Sequence, residues 1–130
     1  MGLKKRILVV DDEPRVTELL RLLLEGAGYG VVATEDSARA AELLRTAAEA
    51  FDAMVSDIRM IPIDGIELLR LSRKVRPAMP VIMVTAYASE ETEEEAKALG
   101  AAEYIAKPFQ IAELLAAVER ALGGSSGAGA

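Results

Sequence analysis

The chain has 130 residues, 52% of them hydrophobic, which suits one globular domain with a real core and leaves little room for a second. Its 21 acidic and 15 basic residues give a net charge of -6, which argues against a broad surface for nucleic acid or anionic membrane. Cysteine and histidine are both absent, so disulfides, thiolate catalysis, Cys/His zinc sites and a Ser-His-Asp triad are excluded, and any chemistry must use carboxylates, hydroxyls, lysine or a hard metal.

Lys4, Lys5 and Arg6 precede an apolar run, residues 7–10, that Asp11 interrupts. The run is too short for a signal peptide or a membrane span, so a cytoplasmic protein is expected. It predicts a first strand instead, ending at Asp11 and Asp12. Pro14 suits a first helical position, and Val16, Leu19, Leu20 and Leu23 recur at helical spacing before Gly26. Residues 31–34 predict the second strand. Asp36 or Ser37 can cap the helix that carries Ala40, Leu43, Leu44 and Ala47. The third strand, residues 53–56, ends at Asp57, and Leu68, Leu71, Ser72 and Val75 mark the helix beyond it. Residues 81–84 predict a fourth strand ending at Thr85. The acidic stretch 89–95 follows, where Thr92 and Glu95 suggest a capping box and hence a fourth helix that starts late and stops at Gly100. The fifth strand, residues 104–106, ends at Lys107, and the last helix carries Ile111, Leu114, Leu115, Val118 and Leu122 up to Gly123. Residues 1–122 thus form one domain, and the small polar residues 123–130 read as a flexible tail or the start of a linker.

Short apolar runs rich in branched residues read as strands buried on both faces. Five strand-then-helix units with right-handed crossovers give an α/β fold, a doubly wound parallel sheet flanked by five helices. In such sheets the functional crevice lies beyond the carboxyl ends of the strands, at the switch point of strand order. For the order 2-1-3-4-5 that point falls between the first and third strands, whose ends carry Asp11, Asp12 and Asp57. Carboxylates so close repel one another unless a cation joins them, and an all-oxygen set with room for water and phosphate suits Mg2+. Lys107 would add a fixed cation and Thr85 a hydroxyl able to donate to a phosphoryl oxygen, which together suffice for phosphoryl transfer. Each residue also has a plainer use: Asp12 as a helix cap, Asp57 as a turn residue, Thr85 as a strand end, Lys107 as a solvated lysine and Tyr104 as a strand aromatic. Their coincidence favours the functional use.

Four segments in this order and spacing, Ile7-Leu8-Val9-Val10-Asp11-Asp12-Glu13, Val55-Ser56-Asp57-Ile58-Arg59-Met60 with Asp64-Gly65, Val84-Thr85-Ala86, and Tyr104-Ile105-Ala106-Lys107-Pro108-Phe109, closely resemble a response-regulator receiver domain of two-component signalling. The resemblance spans nearly the whole chain. It implies a flavodoxin-like sheet of order 2-1-3-4-5 and a phosphoacceptor switch that catalyses only its own phosphorylation and dephosphorylation. Asp57 would take a phosphoryl group from the phosphohistidine of a sensor histidine kinase or phosphotransfer protein. Asp11, Asp12, Asp57 and the backbone carbonyl of Arg59 would hold Mg2+, and Lys107 would pair with Asp57. Thr85, Ala86 and Tyr104 would form the switch, and the Lys107-Pro108 bond would be cis. The output face of the fourth helix, fifth strand and fifth helix would act on a transcriptional or other effector, with phosphorylation-dependent homodimerisation as a further expectation and no direct nucleic-acid or membrane binding.

Two departures stand out. Met60 is followed by Ile61 and the loop's proline is delayed to Pro62, and the fourth helix has few apolar anchors. A phosphatase of the haloacid-dehalogenase type would want a D-x-D pattern that Asp11-Asp12-Glu13 lacks. A flavodoxin-like redox carrier would want a Ser/Thr/Gly phosphate cradle in the first loop, also lacking.

Overall fold

The computed structural model describes residues 4–46 and 50–123. Five strands, β1 (Arg6–Val10), β2 (Gly30–Thr34), β3 (Ala53–Ser56), β4 (Val81–Thr85) and β5 (Glu103–Ala106), alternate with helices α1 (Pro14–Gly26), α2 (Ser37–Arg45), α3 (Gly65–Val75), α4 (Glu90–Ala98) and α5 (Ile111–Ala121). All strand pairs are parallel, in the order β2-β1-β3-β4-β5. The expected α/β fold is the one observed. Ala47 of the predicted second helix and all but the first residue of the predicted tail lie outside the described residues.

Alternate strand residues feed two separate cores. Ile7 and Val9 of β1 join Val55, Ile82 and Ile105 against Leu20 and Leu24 of α1 and Leu114 and Val118 of α5. Leu8 and Val10 point the other way, joining Met54 and Met83 against Leu44 of α2, Leu68 and Leu69 of α3 and Ala96 of α4. Burial on both faces holds for β3 and β4 throughout and for most of β1. The edge strands differ: β2 is only half-buried along its length, and β5 buries Ile105 alone. An edge strand has one neighbour, so less of its surface is covered.

Helix starts follow local chemistry. Pro14 opens α1, the Asp36 carboxylate accepts from the Ala38 and Arg39 amides to cap α2, and Asp64 with Glu67 completes a capping box on α3. The fourth helix corrects the expectation. It begins at Glu90, not after Thr92, because Ser89 is the cap and its side chain accepts from the Thr92 amide. Glu90, Glu91 and Glu93 in its first turn also favour an early start by facing the positive end of the helix dipole. Gly26 is the last residue of α1, where the helix was expected to stop; Ala27 takes the cap position and the left-handed residue is Gly28 at φ 100°.

Candidate functional site

Register sets the site. Val10 of β1 pairs with Ser56 of β3, so the next residues, Asp11 and Asp57, emerge level with each other from adjacent strands. Thr85 of β4 pairs with Ala106 of β5, which brings Lys107 to the same edge. One carboxylate oxygen from each of Asp11, Asp12 and Asp57 lies within 4.8 Å of the others. Lys107 Nζ donates to Asp11 Oδ2 at 2.7 Å and to Asp57 Oδ2 at 3.5 Å. The lysine therefore sits closer to Asp11 than to Asp57, the partner implied by the family resemblance.

Backbone amides fix the acids. Asp11 Oδ1 accepts from the Glu13 amide at 2.9 Å, and Asp57 Oδ1 accepts from the Ile58 amide at 2.7 Å. Asp12 is exposed and caps nothing: the residue at the α1 cap position is Glu13, whose side chain makes no capping bond. Its carboxylate is thus available to a ligand. Behind the acids, Gly65 is required by space. A Cβ there would lie 2.0 Å from the Asp57 carbonyl oxygen, and the Gly65 amide donates to the Ile58 carbonyl at 2.7 Å.

Burial pushes the Asp57 carboxyl above its usual range, and the neighbouring Asp11 charge pushes it further; Lys107 and the Ile58 amide offset only part of this. Burial would lower the Lys107 ammonium, but hydrogen bonding and charge from Asp11, then Asp57, outweigh it and raise the group overall. The crowded acids are therefore short of positive charge. An oxygen-only donor set of this kind fits a hard divalent cation such as Mg2+.

A concavity of about 420 Å³ opens over these groups, lined by Asp12, Glu13, Asp57, Arg59, Ala86, Tyr87 and Lys107. The Arg59 guanidinium lies 4.2 Å from the centre of the Tyr87 ring, so the two side chains stack across its rim. Thr85 is fully buried, does not line the concavity, and its Oγ1 accepts from the Tyr87 amide at 3.0 Å. Tyr104 is directed elsewhere, toward α4: its hydroxyl is 2.6 Å from Thr92 Oγ1 and accepts from the Ser89 amide at 3.4 Å. The Lys107-Pro108 bond is cis, as expected, and so is Ile61-Pro62 in the divergent loop. The roles of Gly65 and Thr92 were not foreseen in the sequence. Gly65 had a signal, its place just after Asp64 in the second segment; Thr92 had none pointing to Tyr104.

The model of the response regulator receiver domain matches residues 7–119, and the chain belongs to that family. It is the receiver domain of a two-component response regulator. Similar proteins include the transcriptional regulatory protein ZraR of Escherichia coli K12, 40% identical over 116 residues that make up 89% of this chain and 26% of that protein. The DNA-binding transcriptional regulator NtrC of the same organism is 38% identical over 116 residues, 89% of this chain and 24% of its own length. The chain thus spans about a quarter of these relatives. Among solved structures, a CheY-like receiver domain protein from Methanospirillum hungatei JF-1 superposes with a TM-score of 0.87 at 34% identity, covering 93% of this chain and 95% of the other. The receiver domain of the sensor histidine kinase PA1611 from Pseudomonas aeruginosa PAO1, solved with magnesium coordinated in its active-site cleft, gives 0.82 at 29% identity, covering 93% and 99%. Among the described residues no helix is long and apolar enough to cross a membrane.

Proposed function

We propose that Asp57 is the phosphoacceptor and that Asp11, Asp12, Asp57 and the Arg59 carbonyl hold Mg2+ beside it. The observation that supports this most directly is the convergence of three carboxylates and one lysine at the switch point of the sheet. Asp57 Oδ1 is held by the Ile58 amide at 2.7 Å, whereas Oδ2 is met only by Lys107 at 3.5 Å, which makes Oδ2 the attacking oxygen in this reading. Oδ2 bonds to phosphorus as the bond to the donor histidine nitrogen breaks, and that nitrogen keeps the electron pair. Bound Mg2+ would supply charge neutralisation between the acids and the incoming phosphoryl oxygens. Lys107 holds Asp11 in place and offers its ammonium to the phosphoryl group once Asp57 carries it. Later attack by water on the acyl phosphate restores the carboxylate and releases phosphate, so the only chemistry is on the protein itself.

The donor in this reading is a sensor histidine kinase or phosphotransfer protein. Thr85 would turn its hydroxyl toward the phosphoryl group, Ala86 leaves room for that movement, and Tyr104 would leave Thr92 to fill the space behind Thr85, reshaping the α4-β5-α5 face. The effector is read as transcriptional because ZraR and NtrC are named as transcriptional regulators. The test is intact mass after incubation with Mg2+ and a small acyl-phosphate donor. One added phosphoryl group that requires both Mg2+ and Asp57 is expected, and an adduct that survives Asp57→Asn would overturn the assignment. For the switch, partner binding that stays fully phosphorylation-dependent in Thr85→Ala would refute the proposed route.

A further inference from the structure

Charge is unevenly spread along this acidic chain. No aspartate or glutamate occurs from residue 68 to residue 89, and Arg70, Arg73, Lys74 and Arg76 crowd into the start of that stretch. Arg76 turns toward the end of α2, donating to the carbonyls of Leu43, Leu44 and Thr46. The other three border α4. Each crossover helix returns from the carboxyl end of one strand to the amino end of the next, so the last turns of α3 and α4 lie together at the sheet edge opposite the acidic cluster. There Arg70, Arg73 and Lys74 line a groove of about 630 Å³ with Leu71, Ala98 and Leu99. Leu71 and Leu99 pack on the core beneath and stay partly exposed in the groove.

Arg73 is held in place. Its guanidinium donates to the carbonyls of Pro77, Arg76 and Met79 and to Ser72 Oγ, and none of these partners is an acid. Its stem lies against Gly100, where φ is 102° and a Cβ would come within 3.2 Å of Arg73 Cδ. Burial lowers the guanidinium from its ordinary value, and a partly desolvated cation gains from an anion set beside it. Lys74 is exposed and pairs with no acid among the described residues. Arg70 meets Glu95 at 3.7 Å, but both side chains are well exposed, and such a pair contributes little. Bases in a last helical turn also complement the helix dipole, a use that needs no ligand. That use does not account for Arg70, a turn earlier, or for the apolar floor beside all three.

Positions 70, 73 and 74 stand at i, i+3 and i+4, so the cations form one row along about 6 Å of α3. Carboxylates four residues apart on another helix have the same spacing, and an apolar side chain at i+3 of that helix lies next to them. We propose that the groove docks an acidic amphipathic helix of a partner protein, with its carboxylates against Arg70, Arg73 and Lys74 and its leucine-sized side chains over Leu71, Ala98 and Leu99. The docking site is remote from Asp57 and independent of the phosphoryl chemistry. Two short helix ends offer a small contact, which places the complex in the weak, transient class.

The probe is a fluorescein-labelled helical peptide with the repeat Glu-x-x-Leu-Glu-x-x-Leu, titrated with the unphosphorylated chain and read by fluorescence anisotropy. Saturable binding is expected, weakened roughly tenfold by Lys74→Glu through like-charge juxtaposition, and also by Ala98→Glu, which puts an acid on the apolar floor. Lys5→Glu makes the same charge change as Lys74→Glu at an exposed position outside the groove and should weaken binding far less. No saturation, equal binding of peptides with Lys for Glu or Ala for Leu, or equal effects of Lys5→Glu and Lys74→Glu would each overturn the proposal. So would equally effective competition by a single-stranded oligonucleotide, which would assign the bases to phosphate. Thermal unfolding of each variant near the wild-type midpoint ties the loss of binding to the groove and not to the fold.

Discussion

Replacing Gly65 by alanine adds one methyl group where the structure has no room for it. That carbon would sit 2.0 Å from the Asp57 carbonyl oxygen, 2.8 Å from Ile58 Cα and 2.9 Å from the Asp57 carbonyl carbon. Nonbonded heavy atoms settle at about 3.5–4.0 Å, so the β3–α3 connection must move by more than about 1 Å. All three obstructing atoms are backbone, and no side-chain rotation can relieve them. Overpacking costs about 1–3 kcal/mol, and a clash with main chain belongs at the upper end. For a chain of this size that lowers the unfolding midpoint by roughly 10 °C. The same shift moves Asp57 away from Asp11 and strains the bond from the Gly65 amide to the Ile58 carbonyl. Misplacement of a reacting group by about 1 Å can cost on the order of 100-fold in rate. Circular dichroism melting and the time course of acyl-phosphate labelling should therefore both change in Gly65→Ala. A variant that melts and labels like the wild type would refute the claim that this glycine sets the position of Asp57, and so would one that only melts early.

Asp57→Asn should be more stable than the wild type in metal-free buffer at neutral pH. Burial and Asp11 raise the Asp57 carboxyl in the folded state, so its ionised form opposes folding: the difference is absent below the ordinary carboxylate value of 3.8 and grows as pH rises from there through the folded value. Mg2+ at about 100 times its dissociation constant should add about 2.7 kcal/mol to the wild type and much less to Asp57→Asn, read as a shift in denaturation midpoint. Lys107→Met removes the lysine that bonds both buried acids and should cost about 3 kcal/mol at neutral pH in urea melts, with the loss shrinking once acid protonates the carboxylates. Tyr87→Ala unstacks Arg59 from the rim for only about 0.5–1 kcal/mol of stability but should shorten the phosphorylated state several-fold, as followed by loss of the mass adduct. Arg76→Ala loses donors to the carbonyls of Leu43, Leu44 and Thr46 and a stack on Phe51, and should cost about 2–3 kcal/mol in chemical denaturation with phosphorylation intact.

Most of the sheet and the acidic cluster was legible because both depend on pattern and position along the chain. A buried parallel strand reads as a branched apolar run, and the residue after it must emerge at the sheet edge, so the sequence alone places Asp11, Asp57 and Lys107 together. The half-burial of β2 and β5 was not legible, since an edge strand in this fold carries the same residue types as a central one. Asp12 shows a different limit: as an acid before Glu13-Pro14 it looked equally like a cap, and only the actual cap position of Glu13 separates the uses. The fourth helix was misplaced because Ser89 and Thr92 are both credible caps, and the choice turns on which hydroxyl meets the free amide. The bond between Thr92 and Tyr104 joins residues on two different elements and leaves no mark in either stretch of sequence.

That bond also bears on how α4 would carry a signal in the proposed switch. Leu68 and Leu69 anchor α3, and Leu114 and Val118 anchor α5, whereas α4 buries Ala96 alone. Full burial of a large aliphatic side chain stabilises by about 1.5–3 kcal/mol, so α4 lacks most of the packing that fixes its neighbours. Its upper end is held by the hydroxyls of Ser89, Thr92 and Tyr104, bonds worth about 1 kcal/mol each. Moving an equilibrium from 1:99 to 99:1 takes about 5.5 kcal/mol of differential binding. A few hydroxyl bonds and one alanine oppose such a movement far less than the leucines under α3 would. If Tyr104 leaves Thr92 when Asp57 is phosphorylated, the helix start loses part of its support in the same step, which couples the aromatic side chain to α4 without displacing either hydrophobic core.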